Sequence, residues 1–172
     1  MRNLYLDLDD TVLDTSAFLG DVDLAGYLKQ NTNGYSKIPY KVGALDSLRI
    51  LSTKYSISFV SCYHTDDEKR EKLRFARLVG VPIFLCRDYY KGSVDMSGGI
   101  FVDDDVKHLM ECPVPLEDSY CFCGGEAEAN LGFTCVSSWS ELCDILMEVS
   151  VDAELREYFC KRISRGCTGY RV

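Results

Sequence analysis

Leu4-Tyr5-Leu6-Asp7-Leu8-Asp9-Asp10-Thr11 carries an apolar stretch directly into three carboxylates and a hydroxyl. Apolar residues at both parities from Asn3 to Leu8 predict a strand covered on both faces, as the central strands of parallel sheets are. Ionised carboxylates are too costly to bury unpaired, so Asp7, Asp9 and Asp10 belong at the mouth of that strand, solvated, paired or neutralised by a cation. A functional site is expected there.

The rest of the chain provides the setting. Its 172 residues suit one domain with a sizeable core, and 47% hydrophobic with 27% charged residues is ordinary for a soluble globular protein. A net charge of -8 argues against broad, non-specific binding to a nucleic acid backbone, which needs surplus Lys and Arg. Nine cysteines are an odd number, and Asp7 interrupts any apolar leader, so reduced thiols are expected. With no apolar run long enough for a bilayer and no lipidation motif, no membrane partner and a cytoplasmic location are the expectation.

Past the first strand, residues 14–40 are polar and rich in glycine, with one helical candidate from Asp23 to Lys29. Val42 to Lys54 has near-helical apolar spacing and leads into a β-rich run, Tyr55 to Val60. Thr65 caps a charged helix with an acidic first turn and an apolar face of Leu73, Phe75, Ala76 and Leu78-Val79, closed by Gly80. Val81 to Cys86 and Gly99 to Val102 are predicted strands, the latter running into Asp103-Asp104-Asp105; Val106 to Glu111 is a short helix with Asp105 as its N-cap. Ser119 to Cys123 and Phe133 to Val136 are two further strands. Ser138 to Glu141 has capping-box spacing and opens a helix through Met147, and a last helix spans Asp152 to Ile163.

Strands alternating with helices in this way predict an α/β fold of three layers, a mostly parallel Rossmann-like sheet with helices on both faces. Ligands of such sheets sit beyond the carboxyl ends of the strands, where the strand order reverses. That rule gathers Asp7 to Thr11, Ser61 and Asp103 to Asp105. Carboxylates from separate strands, with room for water, suit Mg²⁺ better than zinc. Ser61 supplies a hydroxyl, and Lys91 is the only lysine between the third strand and the Asp103 turn, so the two together can hold an anion. A carboxylate nucleophile, an ammonium, a hydroxyl and Mg²⁺ form an arrangement for phosphoryl transfer.

These motifs resemble the haloacid dehalogenase superfamily of phosphohydrolases. Asp7-Leu8-Asp9-Asp10-Thr11 matches its first motif, followed in the family's order by Ser61 after Ile57-Ser58-Phe59-Val60, then Lys91, then Asp103-Asp104 after Ile100-Phe101-Val102. Within the superfamily the chain looks most like the 5'(3')-deoxyribonucleotidase group, through Val42-Gly43-Ala44-Leu45, Val102-Asp103-Asp104 and the late segment holding Trp139. It departs from that group in its short insertion after the first motif and in Ser61-Cys62-Tyr63-His64.

The resemblance implies a catalytic domain over 1–150 with a minimal cap at about 14–40, and a C-terminal helix and tail over 151–172 packed on it. It implies Asp7 as nucleophile, Asp9 as acid and base, and Asp103 and Asp104 as metal ligands, joined by Asp7 and the Asp9 backbone carbonyl. Thr11, Ser61 and Lys91 would serve the phosphate and the nucleophile's loop. The substrate expected is a small phosphate ester, a nucleoside monophosphate. A 3'-phosphate on a nucleic acid end, as in polynucleotide kinase phosphatase domains, and a non-catalytic phosphate- or metal-binding module stay open.

Other residues have two readings each. His64 and Tyr63 follow the second strand and can contact substrate or simply face solvent. Tyr35, Tyr40, Tyr89 and Tyr90 can line the site and stack on a base or stand alone on the surface. Cys112, Cys121 and Cys123 lack the pairwise spacing of a structural zinc site and are expected to pack as small apolar groups. Lys161, Arg162, Arg165 and Arg171 are expected on a solvated face.

Overall fold

A computed structural model describes residues 1–122 and 125–148. The predicted last helix and its basic face, and Cys123, lie outside them. Six parallel strands form one sheet: β1 (Arg2–Leu6), β2 (Tyr55–Tyr63), β3 (Ile83–Arg87), β4 (Ile100–Asp103), β5 (Ser119–Phe122) and β6 (Thr134–Val136). Their order is β3-β2-β1-β4-β5-β6, so the direction of winding reverses between β1 and β4. The register sets Leu4 beside both Ile57 and Ile100, which makes β1 a central strand.

Alternation along β1 divides the core. Leu4 and Leu6 join Leu51, Phe59, Phe75, Trp139 and Leu142 on one face, while Tyr5 joins Val60, Met96, Phe101 and Leu109 on the other. The first face is covered by α3 (Ala44–Leu51), α4 (Asp66–Val79) and α7 (Trp139–Met147), the second by α5 (Val106–Glu111). Caps follow the sequence. Thr65 accepts from the Glu68 amide, Asp105 from Lys107 and Ser138 from Glu141, and Gly80 ends α4 in a left-handed conformation, φ 73°.

Several expectations are corrected. β2 does not stop at Val60: its pairing with β3 continues to Tyr63, opposite Arg87, so Ser61, Cys62 and Tyr63 are strand residues. Residues 14–40 hold more than one helix, with α1 (Thr15–Leu19) ahead of α2 (Leu24–Gln30) and a 3-10 turn at Tyr35–Lys37. The polar stretch before β6 folds as α6 (Glu126–Asn130). In α4 the inward stripe is Glu68, Glu71, Lys72, Phe75 and Ala76, while Leu78 is exposed, because the helix turns that position away from the sheet. The cysteines among the described residues are free thiols, all but Cys135 buried. No helix among the described residues is long and apolar enough to cross a membrane.

Candidate active site

The carboxyl ends of β1 and β4 meet at the reversal of strand order, and the acids collect there. Asp7 follows Leu6, and its amide donates to the Val102 carbonyl at 3.0 Å, holding the turn against β4. Asp103 closes β4, and Asp104 follows it. One carboxylate oxygen from each of Asp7, Asp103 and Asp104 lies within 4.8 Å of the others.

Lys91, in a 3-10 turn (Lys91–Ser93) after β3, is 1% exposed, and its ammonium donates to both Asp7 and Asp103, at 2.6 Å to the latter. Burial works against its charge, but the two carboxylates outweigh that and raise its pKa. Asp7 is pushed the other way. Burial lifts its pKa well above the carboxylate range, opposed by Lys91 and reinforced by Asp103, Asp9 and Asp104. Asp103 is also buried, yet Lys91 and His108 hold its pKa low; its Oδ1 accepts from the Asp105 amide at 2.9 Å and faces His108 Nδ1 at 3.3 Å. Although Asp104 is an exposed residue, its carboxyl sits in the acidic crevice, where lost hydration and Asp103 push it up to about 6.

Asp7, Asp103 and Asp104 present only hard oxygen donors, from three carboxyls within 4.8 Å of one another. That donor set fits a hard divalent cation.

Asp9 lies outside this oxygen cluster and has partners of its own. Its Oδ1 accepts from Tyr35 at 2.8 Å and Thr15 at 2.9 Å, and its Oδ2 from Lys72 at 2.5 Å and Ser61 at 3.4 Å. Burial alone would raise its pKa, but the Lys72 charge and the hydrogen bonds from Lys72, Tyr35 and Thr15 bring it below the usual value.

The loop beyond is tied down. Asp10 has φ 58°, and its carboxylate accepts from the Ser16 amide at 2.9 Å and from the Ser16 hydroxyl, so it joins the loop to α1. Thr11 is fully buried; its hydroxyl donates to Asp104 at 3.1 Å, and its carbonyl accepts from the Trp139 indole at 2.8 Å.

A cleft of about 270 Å³ opens over this edge, lined among others by Asp7, Asp9, Ser61, His64, Lys91 and Asp104. Tyr63 is not among its lining residues; Lys69 Nζ lies 5.3 Å above the Tyr63 ring. Tyr89 lines the cleft, with its ring centroid 3.9 Å from that of His64. Tyr35 is core and Tyr40 packs on Phe75, while Tyr89 and Tyr90 are exposed.

Lys72 and His108 were not singled out by the sequence, and Tyr35 only as an aromatic. A signal for the first exists: Lys72 lies one turn before Phe75 and Ala76, on the inward stripe of its helix. His108 adjoins Leu109 on the inward side of α5, and its position beside Asp103 follows from the cap at Asp105.

A three-layer α/β sheet with this strand order and acids at its switch point has a haloacid dehalogenase-like fold. A solved structure of a haloacid dehalogenase-like hydrolase from Burkholderia xenovorans LB400 superposes with a TM-score of 0.53 at 14% identity, over 90% of this chain and 98% of that one. No protein-family model matches the chain, and no curated protein matches it.

Proposed function

We propose that the chain is a Mg²⁺-dependent phosphomonoester hydrolase acting through an aspartyl-phosphate on Asp7, with nucleoside monophosphates as its substrates. The observation that carries this reading is the Lys91 ammonium bridging Asp7 and Asp103, with Asp104 in the same oxygen cluster. Asp7, Asp103 and Asp104 would hold Mg²⁺, which when bound offsets the charge of the carboxylates and the phosphoryl oxygens.

Lys91 orients the nucleophile and faces the phosphate. A carboxylate oxygen of Asp7 attacks phosphorus, the ester P–O bond breaks, and the leaving alkoxide takes a proton from Asp9. Asp9 rests ionised; arrival of a phosphate anion beside it raises its proton affinity, and it takes up from solvent the proton it then gives to the leaving group. In the second half-reaction Asp9 takes a proton from water, which attacks phosphorus and releases phosphate and the Asp7 carboxylate. Ser61 stands at the cleft to donate to a phosphoryl oxygen, and Thr11 holds Asp104 in place.

The exposed Tyr89 beside His64 supports a planar leaving group, since a base can stack against such rings. The backbone at Asp88 and Tyr89 is left-handed, φ 54° and 62°, a cost that a site holding Tyr89 over the cleft explains. Residues 14–40 serve as the small cap, supplying Thr15 and Tyr35 to Asp9.

The test is turnover of deoxynucleoside monophosphates, a chromogenic aryl phosphate and 3'-phosphorylated oligonucleotides, with Mg²⁺ and with chelator. Mg²⁺-dependent release of phosphate, fastest from the monophosphates and abolished by Asp7→Asn, is expected. Turnover that survives Asp7→Asn removes Asp7 as nucleophile, and preference for oligonucleotide ends transfers the substrate to nucleic acid.

A further inference from the structure

The Lys72 ammonium has three protons and three acceptors: Asp9 Oδ2 at 2.5 Å, Ser61 Oγ at 2.9 Å and the Cys62 carbonyl at 2.6 Å. Its side chain is 3% exposed, while the Asp9 carboxylate is 26% exposed, so the acid reaches the cleft and the lysine stands behind it. Tyr35 grips the other oxygen of Asp9 at 2.8 Å, and Lys72 Nζ lies 5.5 Å from the Tyr35 ring. Tyr35 is fully buried, packed edge-on to Phe75 of α4, which leaves its hydroxyl little freedom.

A charged, fully satisfied lysine inside a helix stripe is costly unless its partners repay the lost hydration. Packing alone would be served better by leucine or methionine at position 72. Lys72 instead links α4 to two other parts of the site: the loop after β1 through Asp9, and β2 through Ser61 and the Cys62 carbonyl. Ser61 both accepts from Lys72 and donates to Asp9, so the two groups, which both line the cleft, are held together.

We infer that Lys72 and Tyr35 form a clamp that positions the Asp9 carboxylate for proton transfer to the leaving group. This rests on the phosphomonoesterase reading above. Both are positioning residues, acting through Asp9 rather than on substrate. Their contribution must therefore depend on how badly the leaving group needs a proton. An alkoxide needs one and a nitrophenolate hardly does, whereas attack by Asp7 and binding to Lys91 are common to both esters.

The experiment compares an alkyl phosphate with p-nitrophenyl phosphate under saturating Mg²⁺, in the wild type, Lys72→Met, Lys72→Arg and Tyr35→Phe. Lys72→Met is expected to lower kcat for the alkyl ester by about 100-fold and for the aryl ester by less than about tenfold, with KM nearly unchanged. Lys72→Arg should restore part of the alkyl rate, since it keeps the charge. Tyr35→Phe, which is isosteric and keeps the fold if Lys72→Met does not, should show the same selective loss at about three- to tenfold. Equal losses on both esters, or none in Tyr35→Phe, overturn the clamp while leaving the phosphatase reading intact. Wild-type protein without Mg²⁺-dependent turnover on either ester overturns both.

Discussion

The indole N–H of Trp139 donates to the carbonyl of Thr11 at 2.8 Å, joining α7 to the loop that carries Asp9 and Asp10. Trp139 is itself fully buried, packs against Phe122 at 5.6 Å between ring centroids, and accepts at its own carbonyl from Ser47 at 3.1 Å. A late helix thus sets the position of the first acidic turn. Trp139→Phe leaves the Thr11 carbonyl without its donor and opens a small void, so a loss of about 2–4 kcal/mol in unfolding free energy is expected. Urea denaturation measures it, and unchanged stability would show that the loop holds itself.

Lys91 presents a sharper case, because its removal leaves Asp7 and Asp103 facing one another in a dry site. Lys91→Met should cost about 3–5 kcal/mol and abolish turnover. Paired with Asp7→Asn, which removes one of the two stranded charges, the stability loss should shrink. A double-mutant cycle by urea denaturation reads this coupling, and simple additivity would contradict the contact.

Mg²⁺ should stabilise the folded chain, since the trio of carboxylates exists only when β1 and β4 are adjacent. At about a hundredfold excess over its dissociation constant the gain is about 2.7 kcal/mol. Thermal unfolding with Mg²⁺ and with chelator measures the shift, and Asp104→Asn should reduce it. A melting temperature indifferent to Mg²⁺ in the wild type removes the cation from the site.

The pH dependence follows from Asp104, whose carboxyl is raised from 3.8 to about 6. Between those values the folded metal-free chain binds more protons than the unfolded chain. Its contribution to stability is therefore present at low pH and lost as pH rises through about 6. Mg²⁺ needs the ionised form, so its affinity should rise as pH passes through about 6. Calorimetric titration from about pH 5 to about pH 7 follows this directly, and a flat affinity would show that Asp104 does not compete for protons there.

Tyr89 and His64 give the substrate prediction. Tyr89→Ala should raise KM for a nucleoside monophosphate by about tenfold, the equivalent of one lost stacking contact, and leave an alkyl phosphate nearly unaffected. Steady-state kinetics on the two esters tells them apart, and equal KM changes would remove the ring as a base platform.

Much of this was legible in the linear chain because it depends on local rules. Alternating apolar runs and short-range caps at Thr65, Asp105 and Ser138 mark the elements, and acids at two strand ends mark the edge where they meet. The α1 helix was not legible: it is five residues long, its N-cap Asp14 makes no side-chain cap bond, and Asp10 reaches its first turn from outside. Leu78, expected on the apolar face, is exposed, and Lys72 is buried, since composition marks a residue as apolar or charged but the phase of the helix against the sheet decides which one faces inward.

The sequence by itself determined a parallel α/β sheet and the identity of Asp7, Asp9, Asp103 and Asp104 as its edge acids, because strand periodicity and the ends of apolar runs are written in nearest neighbours. Tertiary structure alone decided what each acid faces. Asp7 and Asp103 share Lys91, while Asp9 turns to Lys72 and Tyr35, partners 63 and 26 residues away, because docking α4 and the 14–40 segment against β1 brings them within hydrogen-bonding reach. Carboxylates adjacent in the chain thus acquire opposite pKa shifts from burial and from the cations packed beside them.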